Sequence, residues 1–395
     1  MLQLITIAAG ILIIYHHLGY PLILEIRGKR ATNSKQKINS LDDNIHSKCL
    51  PSIDIFVPAY NEAKYIAKKL RNLAGLKYPK TKFSITVACD GCTDNTAEIA
   101  RQTSKDAECQ ALQIDIQEFK KNKGKVSLIN NIIPTLSGDL VVLTDVTALV
   151  SANALLIAAQ RFNDPQIGVV CGTYQLLNPG GSEELKYWNY QSSVKSKEET
   201  FGAIIGAHGA FYVIRKELFH PLEPDTINDD FILPMRIVSL GYRAIYEPRI
   251  NSFELESASL ELDFSRRRRI AAGNLQQLIR LRQMLHPSFK GVAFAFASGK
   301  GLRALMPFLL ILFASGCAIL APGNIFFCLL LIIQVLVYSA AAIVQLSATH
   351  DFPNSLNTIH YIVLGYVAGL LGCFDYLHRK KPNKWRLRSD KNKHV

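Results

Sequence analysis

Four apolar blocks bracket a polar middle, and nothing else in this 395-residue chain constrains its fold as strongly. The first is "LQLITIAAGILIIYHHLGYPLIL" at residues 2–24. After residue 302 come "LRALMPFLLILFASGCAIL", "NIFFCLLLIIQVLVYSAAAIVQL" and "HYIVLGYVAGLLGCFDYL". Each approaches or exceeds the ~20 residues a helix needs to cross a ~30 Å hydrocarbon layer. The first block lacks a basic start and a small-residue cleavage site, so it reads as an anchor, not a signal peptide. His16 and His17 are the unusual polar pair near its middle. The expectation is a multi-pass protein of the cell inner (plasma) membrane.

Charge supports that placement. The formal net charge is +13, and the surplus collects at the block edges in "RGKR" (27–30), "RRRR" (266–269) and "HRKKPNKWRLR" (378–388). This fits positive-inside anchoring and contact with anionic membrane lipid. With no aromatic-interleaved basic motif, no nucleic-acid partner is expected. "RGKR" after the first span assigns residues 27–300 to the cytoplasm, and Trp385 reads as an interface anchor. Three further spans would carry the basic tail outside, against the same rule, unless one block lies in the interface or re-enters.

Eight cysteines form no paired framework. "CDGC" (89–92) has a redox or half-zinc spacing without a second pair, and reduced cytosolic thiols are expected. The chain therefore divides into an anchor (1–26), a linker (27–50), a cytoplasmic domain (51–285), an interfacial segment (286–302), membrane helices (303–378) and a basic tail (379–395).

Within the domain, "SIDIFVPAY" (52–60), "FSITVACD" (83–90), "ALQIDIQEF" (111–119) and "LVVLTD" (140–145) are β-branched runs bounded by turn residues. Helical stretches separate them; in 123–137, Val126, Ile129, Ile133 and Leu136 form one apolar stripe. Such alternation predicts an α/β fold, a mainly parallel sheet with helices on both faces. Ligands in such sheets bind beyond the carboxyl ends of the strands. Here those ends read "PAYNE", "CDGCTD" and "TDVT", which brings Glu62, Asp90, Asp94 and Asp145 to one edge. The "GK" at 124–125 lacks the flanking residues of a phosphate loop.

Gathered carboxylates repel and persist only with a cation, a hydroxyl or a proton. A divalent cation (Mg²⁺ or Mn²⁺) bridging to a diphosphate meets the first need, since Mg²⁺ is typically held by one or two carboxylates plus substrate phosphates. A ribose or base edge meets the second. Asp94 stands before a helix and suits a cap. Asp90 and Asp145 each end an apolar strand, which a cap does not explain.

The ordered set "PAYNE", "DGCTDNT", "GKxxxxN", "TDVT", "NDD", "RRRRIAAGN" and an apolar C-terminus resembles the membrane-anchored, polysaccharide-forming branch of the family 2 glycosyltransferases. The likeness runs over roughly residues 50–385. It implies a nucleotide-diphospho-sugar transferase (GT-A) sheet flanked by transmembrane helices, a nucleotide-sugar donor (a UDP-sugar foremost) and a glycan or lipid-linked acceptor. It also implies site residues. Pro58, Tyr60 and Glu62 of the first strand end and Asp90 of the second hold the nucleotide. Lys125 faces phosphate, with Asn130 in the same motif. Asp145 carries the metal and the diphosphate, although this chain has Asp145-Val146-Thr147 where the family usually has Asp-x-Asp. Asp230 is the expected base, beside Asp229. In "SRRRRIAAGN", Arg269 keeps the arginine of Gln-x-x-Arg-Trp as a diphosphate clamp, Arg266 stands for Gln, and Ile270 replaces Trp. Arg266–Arg268 also suit lipid headgroups. His208 and Asp229 join Arg266 on the acceptor side.

A carboxylate base suits an acceptor hydroxyl, particularly when burial and a neighbouring acid raise its pKa. Attack opposite the leaving diphosphate inverts the anomeric centre. Two rivals stand beside this: transfer to a polyprenyl phosphate, and a degenerate scaffold subunit of a polysaccharide export complex.

Overall fold

The computed structural model describes residues 1–35, 50–177, 182–256, 260–347 and 352–378. The linker beyond residue 35, the tail after 378 and Trp385 fall outside the described residues. The chain forms two compact units, one containing residues 27–180 and 188–257, the other 1–26, 181–187 and 258–382.

Among the described residues the first unit is built on eight strands: β1 (Ile53–Ala59), β2 (Phe83–Asp90), β3 (Gln113–Phe119), β4 (Leu140–Thr144), β5 (Ala148–Val150), β6 (Ile167–Leu176), β7 (Phe211–Arg215) and β8 (Arg243–Glu254). Their order is β3-β2-β1-β4-β7-β6-β8-β5. β3, β2, β1 and β4 run parallel. β7 is antiparallel to both neighbours, β4 and β6. The sheet is thus mixed and mostly parallel. The chemistry of the strands follows their place: β1 and β4 are buried at every position and nearly all apolar, whereas edge strand β3 alternates with solvent.

Register fixes what the carboxyl edge presents. Ala59 pairs with Cys89, and Asp90 pairs with Phe119, so the residues after β1, β2 and β3 emerge side by side. Phe56 pairs with Leu143, which adds the end of β4 to the row. Because β7 enters antiparallel with Phe211 opposite Thr144, the loop before β7 arrives at that same edge. Helix Ile66–Ala74 packs Ile66, Leu70, Leu73 and Ala74 into the core, and Lys69 is buried with them.

The second unit is helical. Among the described residues, four helices are long and apolar enough to cross a membrane: Leu2–Lys29, Pro287–Gly323, Ile325–Leu346 and Asn354–Leu377. All four apolar blocks are therefore helices, and the second starts at Pro287, well before residue 303. Small residues allow close packing: a Cβ on Gly372 would stand 2.1 Å from the Arg268 carbonyl oxygen, so helices Leu260–Arg280 and Asn354–Leu377 touch backbone to backbone there.

That contact also redirects the arginine run. Arg268 donates to both oxygens of Asp375, at 2.5 and 2.7 Å. Arg267 lies over the Tyr361 ring at 3.6 Å and donates to the Tyr361 carbonyl at 3.2 Å. Where the sequence suggested lipid headgroups for Arg267 and Arg268, the structure gives both partners within the protein.

Candidate active site

Glu62 and Asp94 shape the first part of the edge. Asn61 turns the chain after β1 with a φ of 52°, a left-handed conformation that asparagine tolerates. Its Oδ1 accepts from Thr93 N at 2.8 Å. Glu62 is buried, and its backbone N–H donates to Thr96 Oγ1 at 2.8 Å. Asp94 accepts from Thr96 N at 3.1 Å and from Ala63 N at 3.1 Å, so it is a turn-and-cap residue. Pro58 is buried inside β1, and Tyr60 is half-buried just beyond it.

Asp90 is wholly buried, and both its oxygens are engaged by the next loop. Oδ1 accepts from Lys123 N at 2.8 Å and Oδ2 from Gly124 N at 2.7 Å. Gly124, at a φ of 87°, then opens helix Lys125–Ile132. The physical effect is a cradle that delivers Lys125 to the edge. Asn130 instead ties the Leu222 backbone, its side-chain Nδ2 donating to the Leu222 carbonyl at 2.7 Å and its Oδ1 accepting from Leu222 N at 2.8 Å.

Lys125 is the centre of charge. Its Nζ is 3.0 Å from Asp145 Oδ1 and 3.3 Å from Asp229 Oδ2. The second contact is an ion pair without hydrogen-bond geometry, since among the described residues Asp229 Oδ2 has no hydrogen-bond partner. Burial acts to depress the Lys125 ammonium, but Asp145, Asp229 and Asp230 together outweigh it and hold its pKa above the usual lysine value. The cation is therefore permanent, and three carboxylates share it.

Asp229 and Asp230 open helix Asp229–Ser239 behind the Asn228 cap position, where the helix dipole favours negative charge. Burial, and after it the adjacent Asp229, raise Asp230 above the ordinary aspartate range, while Lys125 opposes them. Asp230 faces the same spot as Asp145. A Cβ built on Gly209 would lie 3.1 Å from Asp230 Oδ2 and 3.6 Å from Asp145 Oδ2. A side chain at Gly209 would press on Asp230 and touch Asp145.

That loop is held from several sides. Ala207 N donates to the Asp230 carbonyl at 2.9 Å, and Lys195 Nζ donates to the Gly206 carbonyl at 2.6 Å. His208 is buried, its backbone N–H meets Cys171 Sγ at 3.2 Å, and its ring stacks on Tyr174 at 5.8 Å. Trp188 lies 4.5 Å from Tyr174, so His208 belongs to an aromatic cluster beside the acids.

Asp145, Asp229, Asp230 and Lys125 thus come together in space, with the Gly209 loop alongside. Glu62 and Asp90 sit on the same strand edge, Asp90 acting through the 123–124 backbone. Arg266 and Arg269 lie on helix Leu260–Arg280 of the other unit, where Arg266 is half-buried and Arg269 exposed. Near the "CDGC" motif, Cys89 is buried and Cys92 Sγ is 3.6 Å from the Ala59 carbonyl oxygen.

Three residues escaped the sequence reading. Lys69 lies under the edge, and its signal is a lysine placed on the buried face of "IAKKLRNLA". Thr144 donates to the Ala210 carbonyl at 2.6 Å; ending an apolar strand, it gave no signal beyond its neighbour Asp145. Tyr212 is fully buried in β7 with a hydroxyl that has no hydrogen-bond partner among the described residues. Burial, then Asp229, Asp230 and Asp145, push that phenol well above its usual pKa.

The donor set tests the fit of a metal. Among the described residues no three His, Cys, Asp or Glu side chains are grouped to hold one. Asp145 keeps 39% of its side chain exposed against 10% for Asp229, so of the two carboxylates on Lys125 it is the one open to a ligand. One open carboxylate suits an ion that brings most of its oxygens from a bound diphosphate.

Comparison with known proteins agrees with this architecture. The chain is 28% identical over 239 residues to the poly-beta-1,6-N-acetyl-D-glucosamine synthase of Staphylococcus aureus strain COL, covering 58% of this chain and 56% of the relative. The synthase of the same name from Staphylococcus epidermidis is 24% identical over 236 residues, with the same coverage of each chain. The matched stretch spans about half the length of these relatives. A solved structure of the mannosyltransferase PcManGT from Pyrobaculum calidifontis, in complex with GDP-Man and Mn²⁺, superposes with a TM-score of 0.67 at 23% identity, over 94% of this chain and 99% of that one. That superposition shows a shared fold through sheet and helices alike. Residues 51–273 match the family described as glycosyltransferase like family 2, and to that family the chain belongs.

Proposed function

We propose that this chain is a membrane-bound inverting glycosyltransferase. It moves a sugar from a nucleotide-diphosphate donor, a UDP-sugar foremost, to a glycan or lipid-linked acceptor in the synthesis of a capsule, exopolysaccharide or cell-envelope polymer. The observation that carries this reading is the pairing of Asp145 and Asp230 across Gly209, 3.6 and 3.1 Å from its Cβ direction, with Lys125 neutralising the cluster. Both carboxylates are half-buried, and Asp230, whose pKa is raised, is the one suited to take a proton.

Asp230 takes the proton of the acceptor hydroxyl as it attacks the anomeric carbon, and its raised pKa makes it a stronger base. Lys125 faces the donor's phosphate oxygens and holds charge that grows there as the diphosphate leaves. Asp145 would hold a Mg²⁺ or Mn²⁺, which would supply further charge neutralisation. Glu62, Tyr60 and Pro58 border the nucleotide end, and Asp90 keeps the Lys123–Gly124 backbone in place for it. The resemblance assigns Arg269 to the diphosphate and Arg266, with His208 and Asp229, to the acceptor side. The name of the staphylococcal relatives, a poly-N-acetylglucosamine synthase, supports polymer formation and an amino-sugar donor. The four apolar helices and the cations at Arg27 and Lys29 favour a plasma-membrane enzyme with its sheet in the cytoplasm.

The test is a donor screen with detergent-purified protein, reading nucleotide release across UDP-, GDP- and dTDP-sugars. One donor turned over, and turnover abolished in Asp230→Asn, is the expected result. Folded protein that hydrolyses or transfers none of them overturns the reading. Asp230→Ala that leaves turnover intact moves the acceptor from a hydroxyl to a polyprenyl phosphate, which needs no base.

A further inference from the structure

Below the acidic edge lies a second lysine that the transfer chemistry does not use. Lys69 is wholly buried on helix Ile66–Ala74, among the largest fully buried side chains of the protein. A lysine in that position costs several kcal/mol of desolvation unless its nitrogen is satisfied, so what satisfies it is informative. Its Nζ donates to Thr144 Oγ1 at 2.8 Å and to the Ala148 carbonyl oxygen. Thr144 is the residue before Asp145, and Ala148 the residue after Thr147. The amine therefore spans the Asp145-Val146-Thr147 turn, gripping it at both ends.

The grip continues on the far side. Thr144 Oγ1, accepting from Lys69, donates its own O–H to the Ala210 carbonyl at 2.6 Å. Ala210 follows Gly209, the glycine wedged beside Asp230 and Asp145. One hydrogen-bonded chain thus joins helix Ile66–Ala74, the Asp145 turn and the Gly209 loop. Burial pushes the Lys69 amine down to about 7, although the charges of Asp145 and Glu254 work to raise it. The chain does not depend on that charge, because a neutral amine still has the two N–H groups that its two acceptors require.

We propose that Lys69 is a positioning residue for the metal–diphosphate subsite: by bracing Thr144 and Ala148 from beneath, it sets the orientation in which Asp145 meets a metal-bound nucleotide diphosphate. The proposal rests on the transferase reading above. It gives Lys69 no contact with substrate and no proton-transfer role. It accounts for a buried lysine where an aliphatic side chain would fill the same space at no desolvation cost. It also explains how a turn with a single acidic residue is kept in one geometry.

The experiment uses full-length protein in detergent, with UDP titrated calorimetrically in the presence and absence of Mn²⁺. Lys69→Met keeps length and volume but removes both donors; Thr144→Val cuts the same chain at its middle oxygen. Each variant is expected to melt cooperatively, to bind UDP without metal within twofold of wild type, and to lose at least tenfold in the gain that Mn²⁺ confers. In turnover, kcat falls while the KM for acceptor holds. The double variant is expected to be no worse than Lys69→Met, since both break one chain. If Lys69→Met fails to fold, Thr144→Val alone carries the same expectation. A folded variant with the wild-type Mn²⁺ gain overturns the Lys69 assignment and leaves the transferase reading standing. Wild-type protein that binds none of UDP, GDP and dTDP under either condition overturns the transferase reading, and this assignment with it.

Discussion

Lys125 and Asp145 form an ion pair at 3.0 Å that joins the loop after β3 to the end of β4, and the lysine is shared with Asp229 at 3.3 Å. One ammonium thereby holds together an acidic group that would otherwise repel itself. Lys125→Met is expected to leave those carboxylates unbalanced. Removing one partner of a buried pair costs about 3–5 kcal/mol; Asp145 is 39% exposed, so water recovers part of that and the lower end applies. Thermal melting checks the stability loss. Turnover is expected to fall about 100-fold, the scale of losing one transition-state cation or donor.

The pH dependence follows from Asp230, whose pKa is raised by burial and then by Asp229. Between the unfolded aspartate value, about 4, and the folded value, the native state binds the extra proton. Stability therefore falls as pH rises through that window. A base must be ionised to work, so the acid limb of kcat/KM is expected above the ordinary aspartate range. Asp229→Asn removes the like charge and should move that limb to lower pH. A pH–rate profile that does not shift in this variant assigns the limb to another group.

Gly209 is the glycine of the β7 loop whose replacement is predicted to act directly on the acids. In Gly209→Ala the new methyl meets Asp230 Oδ2 at 3.1 Å, tighter than ordinary contact, and narrows the gap to Asp145 Oδ2 at 3.6 Å. The neighbouring acids must give by a few tenths of an ångström. Displacing a base from its acceptor by so little is enough to cost about tenfold or more in rate. The expected outcome is a tenfold lower kcat with a melting temperature within a few degrees of wild type. A variant with unchanged kcat would mean that Asp230 is not held against its acceptor here.

How much of this was legible beforehand depends on the range of each interaction. Strands β1, β2 and β4 announce themselves as apolar runs that stop at polar residues, and parallel pairing then places Glu62, Asp90 and Asp145 on one edge by geometry alone. The four apolar helices are equally plain, since length and hydropathy are local properties. What was not legible is which partner a side chain takes. Arg268 reads as a headgroup ligand until Asp375, 107 residues later, is seen beside it. Lys69 escapes the sequence reading because the apolar stripe of a nine-residue helix does not fix its rotation closely enough. The oxygens that Lys69 reaches lie 75 and 79 residues away.

Asp90 shows the same gap between a residue's type and its task, and it yields a prediction that separates two roles. By resemblance it holds the nucleotide. In the structure its two oxygens accept the N–H groups of Lys123 and Gly124, at 2.8 and 2.7 Å, in a site with no exposed surface. Asp90→Asn replaces one acceptor by an NH₂ that faces a backbone donor. One buried N–H is left unsatisfied, at about 1–3 kcal/mol. Gly124, at its φ of 87°, loses the anchor that starts the Lys125 helix there. The expected signature is faster amide hydrogen exchange at Lys123 and Gly124, a lowered melting temperature, and a loss of kcat that parallels the one in Lys125→Met. If Asp90 instead acts by direct contact with the nucleotide, the exchange rates of those two amides stay at wild-type values while the donor KM rises. Hydrogen exchange read beside donor kinetics therefore distinguishes a cradle from a contact.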